Sequence, residues 1–474
     1  MAEDLEVSSS LNVSDELETV DESNKCVKLD LPVHIAAFLK RQEFNRGFQQ
    51  IICDQSLLEN VATNYVIVKR ILSFLQWQDK LLCKNVCSMW RSAVHTLQKE
   101  QMGPSDFAIS LRLSHIKNGI KLMQADCFYT EPLVVLAFAN MAGFSVTSKC
   151  ETLIPCPCDP ACDKDHYLLD VLKNLVAVPK SCMLAVKACY TSYMPLQHSL
   201  TYQYRVTKKF GRSSAFIGGL YIPLIPNVEF QVINIKSLAD IPRTFIKTID
   251  KMAETRYVKG ALVFVNESFI LHSVEDIVFL NYLKDVQPDV PYALGGCLVE
   301  DTVSDSEDMN FMIEGVNAGK ELMSENIVSI CLFTVPKVLD SQMDVCNFDV
   351  FSLILESHDW SKAKVQAAIN EFARKVPHFT HSVVIKMSCV GRDNKHDYEQ
   401  EFFRAAFPNT RLVGCYGNGE LGINRPERPP PEPRSSNVKR QRADSGPQYG
   451  LMYSYSTVFV YIGWGNIVTP AEAT

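Results

Sequence analysis

Residues 64–94, NYVIVKRILSFLQWQDKLLCKNVCSMWRSAV, set the tightest limit on what this chain can fold into. Val68, Ile71, Leu72 and Leu75 recur at i, i+3, i+4 and i+7, one face of an α-helix. Polar residues from Gln76 to Asp79 interrupt that face. Leu81 and Leu82 resume it, and Val86, Trp90 and Val94 follow at four-residue spacing. The spacing predicts three short helices joined by tight turns. A unit of about thirty residues cannot bury so many large side chains among themselves, because small units leave much apolar area wet. The surplus is covered either by the rest of this chain or by a partner.

The order Ile71-Leu72-x-Phe74-Leu75, then Leu81-Leu82, then Val86-Cys87-x-x-Trp90-Arg91 resembles the F-box. In that family the three helices dock on the Skp adaptor, which tethers the chain to a cullin ubiquitin ligase. The resemblance implies adaptor-binding residues Val68, Ile71, Leu72, Leu75, Leu82, Val86 and Trp90, as contacts or as supports of the contact surface. The usual Leu-Pro opening is replaced by Asn64-Tyr65, a departure that weakens the first turn more than the later core.

A chain of 474 residues predicts two to four domains, and 47% hydrophobic residues suffice for real cores. The net charge of −7 excludes a protein built around nucleic-acid phosphates, which needs a basic face. No Lys or Arg precedes Lys25, no early apolar run has signal-peptide length, and no later stretch is long enough to cross a bilayer. The expectation is therefore a cytoplasmic and nuclear protein without membrane contact. Its 16 cysteines then read mainly as thiols, since those compartments are reducing.

Residues 1–28 are acidic and Ser-rich, a composition that predicts a disordered tail. Residues 29–60 read as a lead-in helix opened by Pro32, and 61–104 as the helical unit ending at Gly103-Pro104. Beyond it, apolar runs at 132–140, 215–225, 228–235, 260–268 and 291–300 predict strands bounded by Gly, Pro or Asn. Helical patterns lie between them at 167–177, 239–257 and 274–286. A second set follows, with strands at 326–335, 346–357, 381–392, 411–416 and 457–465 and helices at 360–374 and 398–408. The alternation predicts a mixed α/β class with a largely buried sheet, divided into 105–325 and 326–468. A Pro-rich stretch at 424–448 reads as an extended solvated loop, and its Lys439, Arg440 and Arg442 form a candidate import signal.

Gly414 to Gly422, GCYGNGELG, holds a literal G-x-G-x-x-G directly after an apolar strand. The dinucleotide fingerprint also requires a helix to open there, and Ile423-Asn424-Arg425-Pro426 cannot start one. With Met387 to Asp393 upstream, the segment resembles the FIST C-terminal domain, and the α/β region before it resembles, more loosely, the FIST N-terminal domain. FIST domains are sensory modules for small ligands. F-box and FIST together resemble the F-box only protein 22 family, substrate receptors of Skp-cullin-F-box ligases. Two readings of the turn stand side by side. Cys415, Tyr416, Gly417, Asn418, Gly419 and Glu420 form a ligand or substrate turn, its glycines at positive φ and its amides facing an anion. Alternatively, the glycines only satisfy a hairpin.

Cys150, Cys156, Cys158, Cys162 and His166 carry metal-ligating atoms within 17 residues. Their spacing is not the paired C-x2-C of structural zinc, and Pro155, Pro157 and Pro160 favour an extended chain. A Cys-rich loop is the plainer expectation, with no cofactor. Val299 to Asp308, VEDTVSDSED, reads as an acidic solvated loop in which Ser304 and Ser306 are candidate phosphosites. No nucleophile elbow, Walker loop or H-E-x-x-H occurs. The resemblance implies a non-catalytic receptor that binds the Skp adaptor, through it cullin, and protein substrates. The reading from a different class is a small-ligand sensor with a regulatory helical region.

Overall fold

The computed structural model describes residues 55–112, 123–124, 128–149, 165–167, 169, 172, 182–196, 214–267, 274–304, 326–338, 346–356, 359–392, 395–428 and 451–468. The acidic tail, most of the lead-in segment, the four cysteines of the Cys-rich loop and the basic triplet at 439–442 lie outside these residues.

Four helices come first: α1 (Gln55–Thr63), α2 (Tyr65–Leu72), α3 (Trp77–Cys83) and α4 (Ser88–Glu100). The start of α2 is set by Asn64, whose side chain accepts hydrogen bonds from the backbone N–H of Val66 (3.0 Å) and Ile67 (3.2 Å). An Asn N-cap satisfies two of the amides that a helix start leaves without partners, so the missing Leu-Pro does not cost the unit its first turn. Val68 and Leu72 pack on Ala93, Val94 and Leu97 of α4, forming a small core of their own.

Among the described residues the rest is built on three large sheets and a two-stranded one, Thr147–Lys149 with Asp165–Tyr167. In the first, strands run in the order Asp301–Ser304, Met183–Ala188, Pro132–Asn140, Ser214–Pro223, Ser105–Arg112, Met123–Gln124. Pro132–Asn140 is buried at every position, as its unbroken apolar run predicts for a strand covered on both faces. The second sheet runs Met452–Tyr453, Glu420–Ile423, Ala293–Val299, Arg256–Asn266, Val328–Pro336, Glu229–Ile235. The third runs Phe348–Leu355, Thr457–Val468, His378–Cys389, Arg411–Gly417, Tyr190–Met194. All three contribute to one shared core, in which Phe138, Phe264, Cys297, Ile385, Val413 and Val460 take part. On the far side of the third sheet, helices Lys362–Lys375 and His396–Ala406 cover Phe351, Val384, Phe459 and Tyr461. The class is mixed α/β, as the alternation predicts.

Trp77 and Lys80 are among the residues that join the helical unit to this body. Trp77 is buried in the outer core of the first sheet, and its backbone N–H donates to the Phe128 carbonyl at 3.0 Å. Lys80, also buried, donates to the Tyr129 carbonyl (3.0 Å) and to the Gln101 side chain. Gln101 Nε2 in turn donates to the Ser73 carbonyl at 2.8 Å.

Several elements differ from expectation. The segments on either side of residue 326 exchange strands: Val328–Pro336 and Glu420–Ile423 belong to the second sheet, and Tyr190–Met194 closes the third. Asp301–Ser304 is a buried strand paired with Met183–Ala188, which corrects the solvated reading of that part of the acidic stretch. The pattern at 239–257 divides into a π turn, Ile241–Ile246, and a helix, Lys247–Thr255, before a strand begins at Arg256. Of the pattern at 167–177, Tyr167 ends a short strand, Asp165–Tyr167, Leu169 and Leu172 are helical, and the rest lies outside the described residues.

Candidate functional site

Helix α2 separates its side chains by direction. Val68 and Leu72 point inward, and Leu75 just beyond packs partly against them. About 100° per residue around the axis, Val66, Ile67, Ile71 and Phe74 form the opposite face. There Val66 is 73% exposed and Phe74 62%, with Ile67 and Ile71 exposed as well. Val86, on the turn between α3 and α4, is 61% exposed. The Arg70 guanidinium lies 4.7 Å from the Phe74 ring centroid, and Arg91 Nε donates to the Lys84 carbonyl at 3.3 Å. Of these basic residues, Arg70 is the one that lies beside the exposed apolar side chains.

The seven expected adaptor residues are thus sorted by burial. Ile71 and Val86 are exposed, Leu75, Leu82 and Trp90 are half-buried, and Val68 and Leu72 lie inside. Trp90 is fixed from behind, its Nε1 donating to the Ala62 carbonyl of α1 at 3.0 Å. Sequence reasoning missed Val66, Ile67 and Phe74. Helical periodicity finds a stripe, but here apolar residues occupy both faces of α2.

The glycine turn is built differently from the anion cradle expected of it. None of Gly417, Gly419 and Gly422 has positive φ; among the described glycines only Gly465 does. Instead the backbone is pressed on the neighbouring sheet, where a Cβ at Gly417 would lie 2.0 Å from the Leu298 carbonyl oxygen. Leu298 N–H donates to the Gly419 carbonyl at 2.9 Å. Cys415 is buried with its Sγ 3.4 Å from that of Cys297, and Tyr416 is buried too. Asn418 alone is exposed, its side chain donating to Glu267.

Glu420 faces inward. Its Oε2 accepts from Ser456 N (3.1 Å) and Ser456 Oγ (2.8 Å), while Oε1 has no hydrogen-bond partner among the described residues. Burial pushes its carboxyl up to about 8, against the opposing pull of Ser456. Nearby, Glu399 pairs with Arg392 and lies 3.7 Å from Lys386, all three fully buried. Thr457 Oγ1 donates to Glu399 at 2.9 Å, and Arg392 Nη1 donates to the Tyr455 carbonyl at 2.7 Å. Burial pulls the Lys386 ammonium down to about 8. Clusters of perturbed groups mark candidate sites, but these side chains have no contact with solvent, so they bind strand ends to helix His396–Ala406.

His166 stands on the strand Asp165–Tyr167, while Cys150, Cys156, Cys158 and Cys162 lie outside the described residues. Among the described residues no group of His, Cys, Asp and Glu can hold a metal ion, and no helix is long and apolar enough to cross a membrane.

No family model matches the chain, and no curated protein matches it. Among solved structures, cyanuric acid hydrolase from A. caulinodans is similar over 70% of this chain and 90% of that one, at 8% identity and a TM-score of 0.27. This finding runs against the expected non-catalytic receptor, since the neighbour is a hydrolase, and the exclusion of catalysis does not stand. A likeness this distant supplies no argument for hydrolysis either.

Proposed function

We propose that this chain is the substrate-recognition subunit of a Skp-cullin-F-box ubiquitin ligase, working in the cytoplasm and nucleus. The observation that supports this reading is the outward face of α2. Val66, Ile67, Ile71 and Phe74 stay wet although the unit has its own core in Val68, Leu72, Ala93, Val94 and Leu97. Burying each such side chain is worth roughly 1.5–3 kcal/mol, so covering the face rewards a partner even after association costs. The adaptor and, through it, cullin would occupy this face. The α/β body would hold protein substrates near the ubiquitin-loaded enzyme, where proximity raises the effective concentration of the target lysine.

Affinity purification with proteomics tests the proposal. Adaptor and cullin should co-purify with the intact chain and disappear with Val66→Asp plus Phe74→Asp, while target proteins accumulate on the variant. Adaptor and cullin absent from both samples would count against the reading.

A further inference from the structure

Ser73 closes α2, and its neighbours make it more than a helix end. It follows Leu72 of the inner core and precedes Phe74 of the exposed face. Its Oγ donates to the Arg70 carbonyl at 2.7 Å, the main chain of its own helix. The turn that carries it is held by short-range bonds, Phe74 N to Ile71 O and Leu75 N to Leu72 O, both 3.1 Å. Arg70 stands three positions before Ser73, a basic approach of the kind that arginine-directed serine kinases read with acidic pockets, while Lys69, four before, is paired with Glu100 at 2.6 Å.

We propose that Ser73 is a phosphorylation site, and that its phosphate releases the adaptor from the α2 face. This rests on the ligase reading above. In the step, Ser73 Oγ attacks the γ-phosphorus of a nucleoside triphosphate, the bond to the β–γ bridging oxygen breaks, and the hydroxyl proton passes to the kinase base. The nucleoside diphosphate leaves.

Three consequences follow at the site. The phosphate adds nearly two negative charges beside an apolar face, so a covering partner must desolvate them. It stands at the C-terminus of α2, the negative end of the helix dipole, and weakens the last turn. It also offers Arg70 a stronger partner than the Phe74 ring, drawing that guanidinium away from the face.

The test uses the full chain, the catalytic subunit of cyclic-AMP-dependent kinase with ATP, and purified adaptor. Mass spectrometry should place a phosphate on Ser73, and adaptor affinity should fall at least tenfold. Phosphatase treatment should restore it, which separates release from irreversible unfolding. Ser73→Ala treated with the same kinase should keep its affinity. If unmodified chain and adaptor fail to bind, the ligase reading falls and the switch with it. If they bind but phosphorylation at Ser73 leaves the affinity unchanged, only the switch is overturned. It is also overturned if Ser73 takes no phosphate, or if Ser73→Ala loses binding on kinase treatment.

Discussion

Glu420 shows how far a residue's setting can depart from its local sequence. Among glycines and beside Asn418 it reads as an exposed turn carboxylate, yet it is fully buried, with one oxygen lacking a hydrogen-bond partner among the described residues. The burial comes from the pairing Cys297↔Glu420, a contact more than a hundred residues away in sequence. Its carboxyl rises from 4.5 to about 8 on burial, so between those values the folded chain holds a proton that the unfolded chain has released. Stability therefore falls as pH rises through that window. Lys386 acts in the other direction above it. Its pKa drops from 10.5 to about 8, so from there upward the unfolded chain holds the extra proton and the contribution of this group to stability rises. Thermal unfolding followed against pH should show the Glu420 contribution as a fall between 4.5 and about 8, and above that the buried thiols of Cys297 and Cys331, raised by burial, oppose the Lys386 gain. Glu420→Gln keeps an acceptor for Ser456 and cannot ionise, so its curve should lack the fall between 4.5 and about 8. Parallel curves for the variant and the parent chain would refute the assignment.

At the scale of elements, legibility followed contact range. Pro132–Asn140 was readable because a strand covered on both faces is apolar throughout, whatever its partners. Helix Lys362–Lys375 was readable from its spacing, and Ser361 caps it at Lys364 N, 3.2 Å away. Glu420–Ile423 was not, since a four-residue strand with a glycine has little β-propensity and exists because Ala293–Val299 lies beside it. Ser105–Arg112 carries Phe107, Ile109 and Leu111 in strict alternation, a signal present but overlooked between the helical unit and the first long apolar run. The glycine turn yields a second prediction. Gly417→Ala places a methyl 2.0 Å from the Leu298 carbonyl oxygen, a backbone atom that cannot rotate away. Such overpacking costs about 1–3 kcal/mol, readable as a shifted denaturant midpoint with unchanged adaptor affinity. An unshifted midpoint would mean that this approach of the two sheets is looser than described.

For the whole molecule, the question is whether the helical unit is a foot of the body or a socket for a partner. Trp77 and Lys80 attach it to the first sheet, so part of its apolar surplus is covered by the chain itself. The face of α2 is not. Sequence alone found the stripe and could not tell Leu72 from Ile71, because that depends on which side α4 takes. With α4 in place, Leu72→Asp tests folding and Phe74→Asp tests docking. The most direct measurement is a titration of purified Skp adaptor into the full chain and into Val66→Asp plus Phe74→Asp, with thermal midpoints taken alongside. The intact chain should bind at about 1 μM or tighter. The variant should lose at least a hundredfold with its midpoint unchanged. No binding by the intact chain, or equal binding by both, would contradict the account.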